Sequence, residues 1–250
     1  MSRKLRLAPP RLPASRLPAS RLPASRLSVP LLSALVVLVL GANAALAAVW
    51  SSSAQYASWS NGGYTLYNDV WGSGAGPQTI WANSYSNWGV SSDQPNTGGV
   101  KSFPNVSKSI GVALSSLSHV TSSFSDSMPG SGNFESAYDI WANGSADEIM
   151  LWTYTQNVGP LGTYQTTVSI GGSSWKVYRG SNGSNAVFSF VRTSNETSGS
   201  VDIKATFNWL SSAGWLTNAT LSTVQFGWEI SSTNNATENF QVNSYSVSYG

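Results

Sequence analysis

Cysteine is absent from this 250-residue sequence, and histidine occurs only once, at position 119. The absence of cysteine excludes disulfide bonds, thiol catalysis and thiolate metal sites, so the folded chain must rely on its buried core. A hydrolase with a Ser-His pair would need His119 as its base. The alternation of residues 117–121 instead places this imidazole on a strand surface.

Charged residues are also scarce, and the basic ones are unevenly placed. Seven of the 13 Lys and Arg residues lie within residues 1–47, where no acid occurs. The other six stand against all 11 acidic residues, so residues 48–250 carry a net charge of −5 with His119 neutral. This part of the chain lacks the basic footprint that phosphate contacts need, so no nucleic acid partner is expected. Abundant Ser, Thr, Asn, Gly and aromatic residues favour a neutral polar partner such as carbohydrate.

Residues 1–47 have the pattern of a secretory signal peptide with a long basic n-region. The pentad Arg-Leu-Pro-Ala-Ser repeats over residues 11–25, an apolar run covers residues 29–40, and Ala45-Leu46-Ala47 suits signal peptidase. A retained membrane anchor is the alternative, although the apolar run is short for a bilayer span. We expect cleavage after Ala47 and a secreted, extracellular monomer without stable membrane association. Residues 48–250 are expected to form a single domain.

Short alternating runs separated by turn residues dominate residues 48–250, a pattern typical of a β-sandwich or barrel. Strands are predicted at residues 64–71, 79–85, 87–90, 112–117, 119–124, 134–141, 147–154, 168–170, 175–178, 186–192, 221–230 and 240–249. Residues 200–210 instead repeat apolar residues at helical spacing. With Ser200 as the N-cap, they predict one helix packed on the outside of a sheet.

The run from Asp147 to Tyr154 places an acid inside a predicted strand. Because side chains alternate along a strand, Glu148, Met150 and Trp152 share one face while the other face is typical of core. A carboxylate, a thioether and an indole in a row suit the wall of a cleft. An ordinary edge strand with one solvated Glu fits this run alone equally well.

Two further strands carry acids that favour the cleft. The turn at residues 142–145 sets Asp139 and Glu148 on adjacent antiparallel strands, where cross-strand neighbours lie about 5 Å apart. Glu229 lies in the strand at 221–230 among aromatic and apolar residues. Two such glutamates, without a histidine, cysteine or metal constellation, point to glycoside hydrolysis, which needs one carboxylic acid and one carboxylate. A glycan-binding module without catalysis is the alternative.

Six short motifs carry a resemblance to a known family. They are Asn68–Gly72, Val100–Asn105, Ala137–Trp141, Glu148–Trp152, Gly159–Gly162 and Gln225–Ile230. The same motifs occur in this order in glycoside hydrolase family 12 (cellulase family H), which comprises endo-β-1,4-glucanases and xyloglucan-specific endoglucanases. The resemblance spans nearly the whole chain from Tyr56 onward. Family 11 xylanases share the fold and the paired glutamates, but their acid-bearing strands are rich in tyrosine.

The resemblance implies an all-β jelly-roll sandwich of two antiparallel sheets, with an open cleft on the concave sheet and one packed helix. It implies endo-acting, retaining cleavage of β-1,4-glucan or xyloglucan, with no cofactor or metal. Glu148 matches the nucleophile, Glu229 the general acid/base and Asp139 the aspartate that hydrogen-bonds the nucleophile. The residues matched to substrate binding are Trp71, Met150, Asn68, Asp69, Trp141, Trp152 and Pro160.

Retention places a geometric demand on the two glutamates. Their carboxyl groups must lie about 5 to 5.5 Å apart. The charge on Glu148 is then expected to raise the pKa of Glu229, as the acid role requires. The sequence departs from the family pattern in its lack of cysteine, which many members carry, and in Asp69, which stands where Asn is common.

Overall fold

Alternating runs separated by Gly, Asn and Ser turns form fifteen strands within residues 48–250, the part of the chain that the computed structural model describes. The signal peptide predicted for residues 1–47 lies outside the described residues. The strands are β1 (Trp50–Ser52), β2 (Ser58–Asn61), β3 (Tyr64–Tyr67), β4 (Gln78–Ser84), β5 (Asn87–Ser92), β6 (Asn105–Ala113), β7 (Val120–Ser127), β8 (Asn133–Ala142), β9 (Asp147–Gln156), β10 (Thr163–Ile170), β11 (Ser173–Ser181), β12 (Ala186–Arg192), β13 (Ser198–Asp202), β14 (Thr220–Ser232) and β15 (Glu238–Tyr249). One α-helix, α1, covers Ile203–Ser212.

The strands form two sheets, which confirms the predicted all-β sandwich. The first has six strands in the order β1-β4-β5-β15-β7-β13. The second has nine, in the order β10-β11-β12-β9-β8-β14-β6-β3-β2. All strand pairs are antiparallel except β12 and β9, which run parallel. This pair corrects the prediction of wholly antiparallel sheets, and it arises because the β10–β11 hairpin intervenes between β9 and β12 along the chain.

The core between the sheets is rich in aromatic residues. Trp88 of β5 contacts Trp228 of β14, with ring centroids 5.2 Å apart, and Phe134 of β8 meets Phe240 of β15 edge-on at 5.0 Å. All four side chains are fully buried. Burying one such ring stabilises the fold by at most roughly 4–6 kcal/mol. These contacts join the two sheets in a chain that has no disulfide.

The boundaries of two elements differ from the sequence-based prediction. The helix begins after Asp202, whose side chain accepts a hydrogen bond of 2.8 Å from the backbone N–H of Ala205. Ser200 is not the N-cap, because it lies in β13 and pairs with β7. The strand predicted at 112–117 is partly wrong, since residues 114–116 form a single 3₁₀ turn. Among residues 48–250, no helix is long and apolar enough to cross a membrane.

Candidate active site

A cleft of about 710 Å³ opens on the face of the nine-stranded sheet that is turned away from the core. Its floor comes from β9, β8 and β14, which are adjacent strands in the middle of this sheet. Eight of the ten residues predicted for the site line the cleft, namely Glu148, Glu229, Asp139, Trp71, Asp69, Met150, Trp141 and Trp152. The tertiary structure thus brings together acids that are 90 positions apart in the sequence.

Strand β9 places Glu148 in the cleft because its side chains alternate between core and cleft. Ile149 and Leu151 belong to the core between the sheets. Met150 and Trp152 lie on the other face, where they join a separate apolar cluster with Ala137 and Val187. This cluster forms a dry floor beside the carboxyl group of Glu148.

Strand β14 fixes Glu229 through the residue before it. Trp228 is fully buried, and its Nε1 group donates a hydrogen bond of 3.2 Å to Oδ2 of Asp126. With Trp228 held in the core, the next side chain must face the cleft. Gly227 is required because a Cβ atom at this position would clash with the carbonyl oxygen of Pro104. The backbone of β14 therefore lies close to the backbone at Pro104.

The hairpin between β8 and β9 sets the relation between Asp139 and Glu148. Asn143 and Gly144 in its turn have φ angles of 55° and 76°, a conformation that Asn and Gly tolerate. In the resulting register, Glu148 lies opposite Trp141, and Asp139 lies opposite Met150. Asp139 and Glu148 are therefore diagonal neighbours, for which Cα separations of about 7–8 Å are usual. The sequence-based expectation that Asp139 and Glu148 lie directly opposite each other, about 5 Å apart, was wrong, because each lies opposite the residue two positions away from the other.

The environment of Glu148 acts on its ionisation in two directions. Burial raises the pKa of Glu148 to about 7, and the charge of Glu229 contributes to the same rise. Asn182, in the turn between β11 and β12, donates a hydrogen bond of 2.9 Å from Nδ2 to Oε2 of Glu148. This bond stabilises the carboxylate and lowers the pKa. Asn182 was not among the predicted site residues.

Asp139 is the most deeply buried acid of the predicted set. Burial, followed by the charges of Glu148 and Glu229, raises the pKa of Asp139 well above its usual range. Trp141 donates a hydrogen bond of 3.1 Å from Nε1 to Oδ2 of Asp139, which opposes this rise. The same Nε1 group lies 3.2 Å from Oε1 of Gln225. Burial and the neighbouring charges thus favour the neutral form of the Asp139 carboxyl group.

Within the motif that begins at Asn68, one residue is buried outside the cleft and two others line it. Asn68 is fully buried and does not line the cleft, which corrects its predicted placement. Its Nδ2 group donates to the carbonyl oxygen of Ala54 at 3.0 Å, and its Oδ1 accepts from Nε2 of Gln78 at 3.0 Å. These hydrogen bonds of the Asn68 amide group stabilise the segment between β3 and β4. Asp69 and Trp71, which follow, do line the cleft, and Trp71 is 48% exposed.

Pro160 also differs from its predicted position. It is half-buried and is not part of the cleft wall, whereas its neighbours Gly159 and Leu161 both line the cleft. Leu161 is 47% exposed and presents an apolar surface to the solvent-filled cleft. The loop was therefore located correctly, but the residue that faces the cleft was not.

Four polar residues that line the cleft were not among the predicted site residues, namely Glu135, Gln225, Ser231 and Asn182. Glu135 lies four positions before Asp139 in the same alternating strand, and Gln225 lies four positions before Glu229. Strict alternation along each strand was a signal that could have found both. Asn182 lies in a turn without periodicity, so only the tertiary structure could reveal it.

The charge of the cleft suits a neutral ligand. Among the described residues, no Lys, Arg or His lines it, and its walls combine five acids with aromatic and apolar side chains. Among residues 48–250, no group of three or more His, Cys, Asp or Glu side chains could hold a metal ion. The carboxyl groups of the cleft are thus the side chains there that could transfer a proton to a neutral substrate or attack it.

Known proteins with related sequences and structures are polysaccharide hydrolases. The chain is 33% identical to Endoglucanase S of Pectobacterium parmentieri over 77% of this chain and 85% of that protein. It is 34% identical to the probable xyloglucan-specific endo-beta-1,4-glucanase A of Aspergillus flavus over 87% and 98% of the two chains. The structure of the xyloglucanase domain of NopAA from Sinorhizobium fredii, determined with cellobiose, superposes with a TM-score of 0.78. It shares 40% identity and covers 81% of this chain and 99% of that one.

The family assignment rests on most of the described chain. Residues 62–249 match the model of Glycosyl hydrolase family 12. This span contains Glu148, Glu229 and Asp139 together with every strand from β3 to β15. With a two-sheet fold, a cleft on one sheet and two glutamates that line this cleft, the chain belongs to glycosyl hydrolase family 12.

Proposed function

We propose that the protein is a secreted, endo-acting hydrolase that cleaves internal β-1,4-glucosidic bonds of cellulose-type β-glucan or xyloglucan with retention of configuration. The observation that carries this proposal is the projection of Glu148 and Glu229 from two strands of one sheet into the same cleft. The names of the relatives, which include both an endoglucanase and xyloglucan-specific enzymes, support the choice of substrate.

In the first step, the carboxylate of Glu148 attacks the anomeric carbon while the glycosidic C–O bond breaks. Glu229 gives its proton to the departing oxygen, so that the leaving sugar departs as an alcohol. The product is a glycosyl ester on Glu148. The charge of Glu229 affects the pKa of Glu148, which supports the short separation that this geometry needs.

In the second step, water attacks the anomeric carbon and the ester bond to Glu148 breaks. Glu229, now a carboxylate, accepts the proton of the attacking water and returns to its acid form. Two inversions at the same carbon restore the original β configuration. Every proton that leaves Glu229 in the first step is thus replaced from water in the second.

The ionisation of Glu148 depends on the charge of Glu229 and on Asn182. When both are ionised, their repulsion raises the pKa of Glu148. A proton on Glu229 removes this repulsion, and the hydrogen bond from Asn182 stabilises the charge that remains on Glu148. The first step needs an ionised Glu148 and a protonated Glu229. Asp139, diagonal to Glu148, would orient the nucleophile.

The cleft walls suit a long chain of neutral sugars. Aromatic faces bind the C–H groups of sugar rings, and Trp71 offers such a face at 48% exposure. Leu161 presents an exposed apolar surface on the loop after β9. An open cleft with surfaces on both its β3–β4 and β9–β10 sides can accept the middle of a polymer, as endo cleavage requires. Secretion, proposed from the pattern of residues 1–47, would bring the enzyme to such polymers.

A substrate panel with product analysis tests this function. Initial rates would be measured on β-glucan, xyloglucan and xylan, with product sizes followed over time and the newly formed anomer identified by proton NMR. We expect hydrolysis of β-glucan or xyloglucan, a rapid fall in polymer length and the β-anomer as the first product. Preferential hydrolysis of xylan would favour a family 11-like activity. Retention of β-glucan on an affinity gel without release of reducing ends would favour a binding module.

A further inference from the structure

A third glutamate shares the cleft with the two proposed for catalysis. Glu135 of β8 lies directly opposite Glu229 of β14 in the antiparallel register. Side chains in such a position have Cβ atoms about 4.5–5.5 Å apart on the same face of the sheet. Both residues line the cleft. Glu135 is therefore the carboxyl group that the sheet places directly beside the acid/base.

The surroundings of Glu135 disfavour a negative charge. Its side chain is only 2% exposed, and among the described residues its Oε1 atom has no hydrogen-bond partner. Burying a carboxylate without hydrogen-bond donors costs free energy. A neutral carboxylic acid avoids this cost and can donate a hydrogen bond to a neighbouring acceptor. The carboxyl group of Glu229 is such an acceptor.

The charged groups around Glu135 act in the same direction. Strand β14 presents Glu229, strand β9 presents the uncharged Thr155 opposite Glu135, and its own strand carries Asp139 on the same face. No basic residue lines the cleft. Burial and then the charge of Glu229 raise the pKa of Glu135 well above its usual range.

We propose that Glu135 is a positioning residue for the acid/base, a role that rests on the proposed function of Glu229. Its carboxyl group keeps its proton and donates a hydrogen bond to Glu229. In the first step of the reaction, Glu229 loses its proton to the leaving oxygen and becomes a carboxylate. The O–H group of Glu135 then stabilises this carboxylate until water returns a proton in the second step.

The pair also shares protons at higher pH. After one proton leaves the pair, the remaining proton lies in the hydrogen bond between the two carboxyl groups, and the pair titrates as a unit instead of as two isolated acids. The alkaline limb of the profile of kcat/KM against pH is therefore extended. Replacing Glu135 by Gln leaves a hydrogen-bond donor of the same shape but removes the shared proton.

The substitution Glu135→Gln tests this role, with Glu238→Gln on β15 of the opposite sheet as the matched control. We expect the alkaline limb of kcat/KM to move to lower pH by about one unit in Glu135→Gln. The limb of Glu238→Gln is expected to coincide with that of the wild type. A limb that is unmoved in Glu135→Gln, in a variant with wild-type thermal unfolding, would overturn the proposal.

Infrared difference spectroscopy provides a readout that does not depend on hydrolysis. At neutral pH the wild-type protein should show, beside the C=O stretching bands of other protonated carboxyl groups, a band that is missing in Glu135→Gln. If the wild type hydrolyses none of the glucans but keeps this band, the proposed function fails and the carboxyl pair stands. Equal bands in both proteins would overturn the pair. Should Glu135→Gln not fold, Glu229→Gln serves instead, and Glu135 must then lose its proton at a lower pH than in the wild type.

Discussion

Asn182 and Glu148 are joined by a hydrogen bond of 2.9 Å from Nδ2 of the amide to Oε2 of the carboxyl group. The orientation of the amide is fixed from its other end, because Oδ1 of Asn182 accepts from the backbone N–H groups of Ser184 and Asn185 at 2.9 and 2.8 Å. The NH₂ group must then point toward Glu148. A turn between β11 and β12 thus supplies the donor that favours ionisation of the proposed nucleophile.

Loss of this donor should alter the pH profile. Burial and the charge of Glu229 raise the pKa of Glu148 to about 7, and the hydrogen bond from Asn182 limits this rise in pKa. A nucleophile must be ionised, so kcat/KM should fall as the pH drops below about 7. In Asn182→Ala the pKa of Glu148 rises further, and the acidic limb should move to higher pH by up to about one unit. Asn208→Ala on the exposed face of α1 is the control, and an unmoved limb in Asn182→Ala would contradict the prediction.

Removal of the nucleophile should abolish hydrolysis without loss of the fold. We expect Glu148→Gln to lower kcat on β-glucan or xyloglucan by about three orders of magnitude or more. Thermal unfolding should stay close to that of the wild type, because the substitution keeps the shape of the side chain. Asp147→Asn, one position earlier in β9 and outside the cleft, is the matched control. Near-wild-type activity in Glu148→Gln would exclude the assignment.

Trp71 should contribute to binding and little to the chemical step. Its ring is 48% exposed at the cleft, so its removal creates no cavity in the core. One stacking contact of this kind is worth roughly 0.5–1.5 kcal/mol. Trp71→Ala should therefore raise KM on polymeric substrate by about two- to tenfold with kcat nearly unchanged. A large fall in kcat at constant KM, measured by initial rates, would show that the ring acts in the transition state instead.

Stability should depend on pH through the buried acids. Burial raises the pKa of Asp126 to about 6, although Ser136 and Trp228 both donate hydrogen bonds to its Oδ2. The folded state holds a proton that the unfolded state loses near pH 4, so the free energy of unfolding falls as the pH rises from about 4 through 6. The rise for Glu148 extends this loss to about pH 7.

Thermal unfolding measured between pH 4.5 and 8 checks this dependence. The midpoint should decrease with rising pH, on the order of 5–10 °C across the range. In Asp126→Asn this decrease should be smaller, because the titrating group is gone while an acceptor for Ser136 and Trp228 remains. A midpoint that rises with pH in the wild type, or an unchanged slope in Asp126→Asn, would be inconsistent with a protonated Asp126 in the folded state.

Much of the fold could be predicted because alternation is a local property of the chain. The segments around Trp81, Ile140, Leu151 and Phe226 alternate clearly, and each became a strand close to its predicted bounds. The helix start was misplaced because Ser200 and Asp202 both have side chains that cap helices. The choice was made by the pairing of residues 198–202 with β7, a contact between distant segments.

Periodicity by itself determined that residues 48–250 form a β-sandwich or barrel, and the resemblance of six short motifs to a known family implied two sheets with Glu148, Glu229 and Asp139 in one cleft. Alternation and short motifs can be recognised in the sequence because each depends only on neighbours along the chain. Only the tertiary structure decided that Asp139 lies diagonal to Glu148, that Asn68 is buried away from the cleft, and that Asn182 and Glu135 lie beside the two glutamates proposed for catalysis. Strand register, burial and the orientation of a side chain in a turn depend on contacts between residues far apart in sequence. No local sequence pattern predicts such contacts.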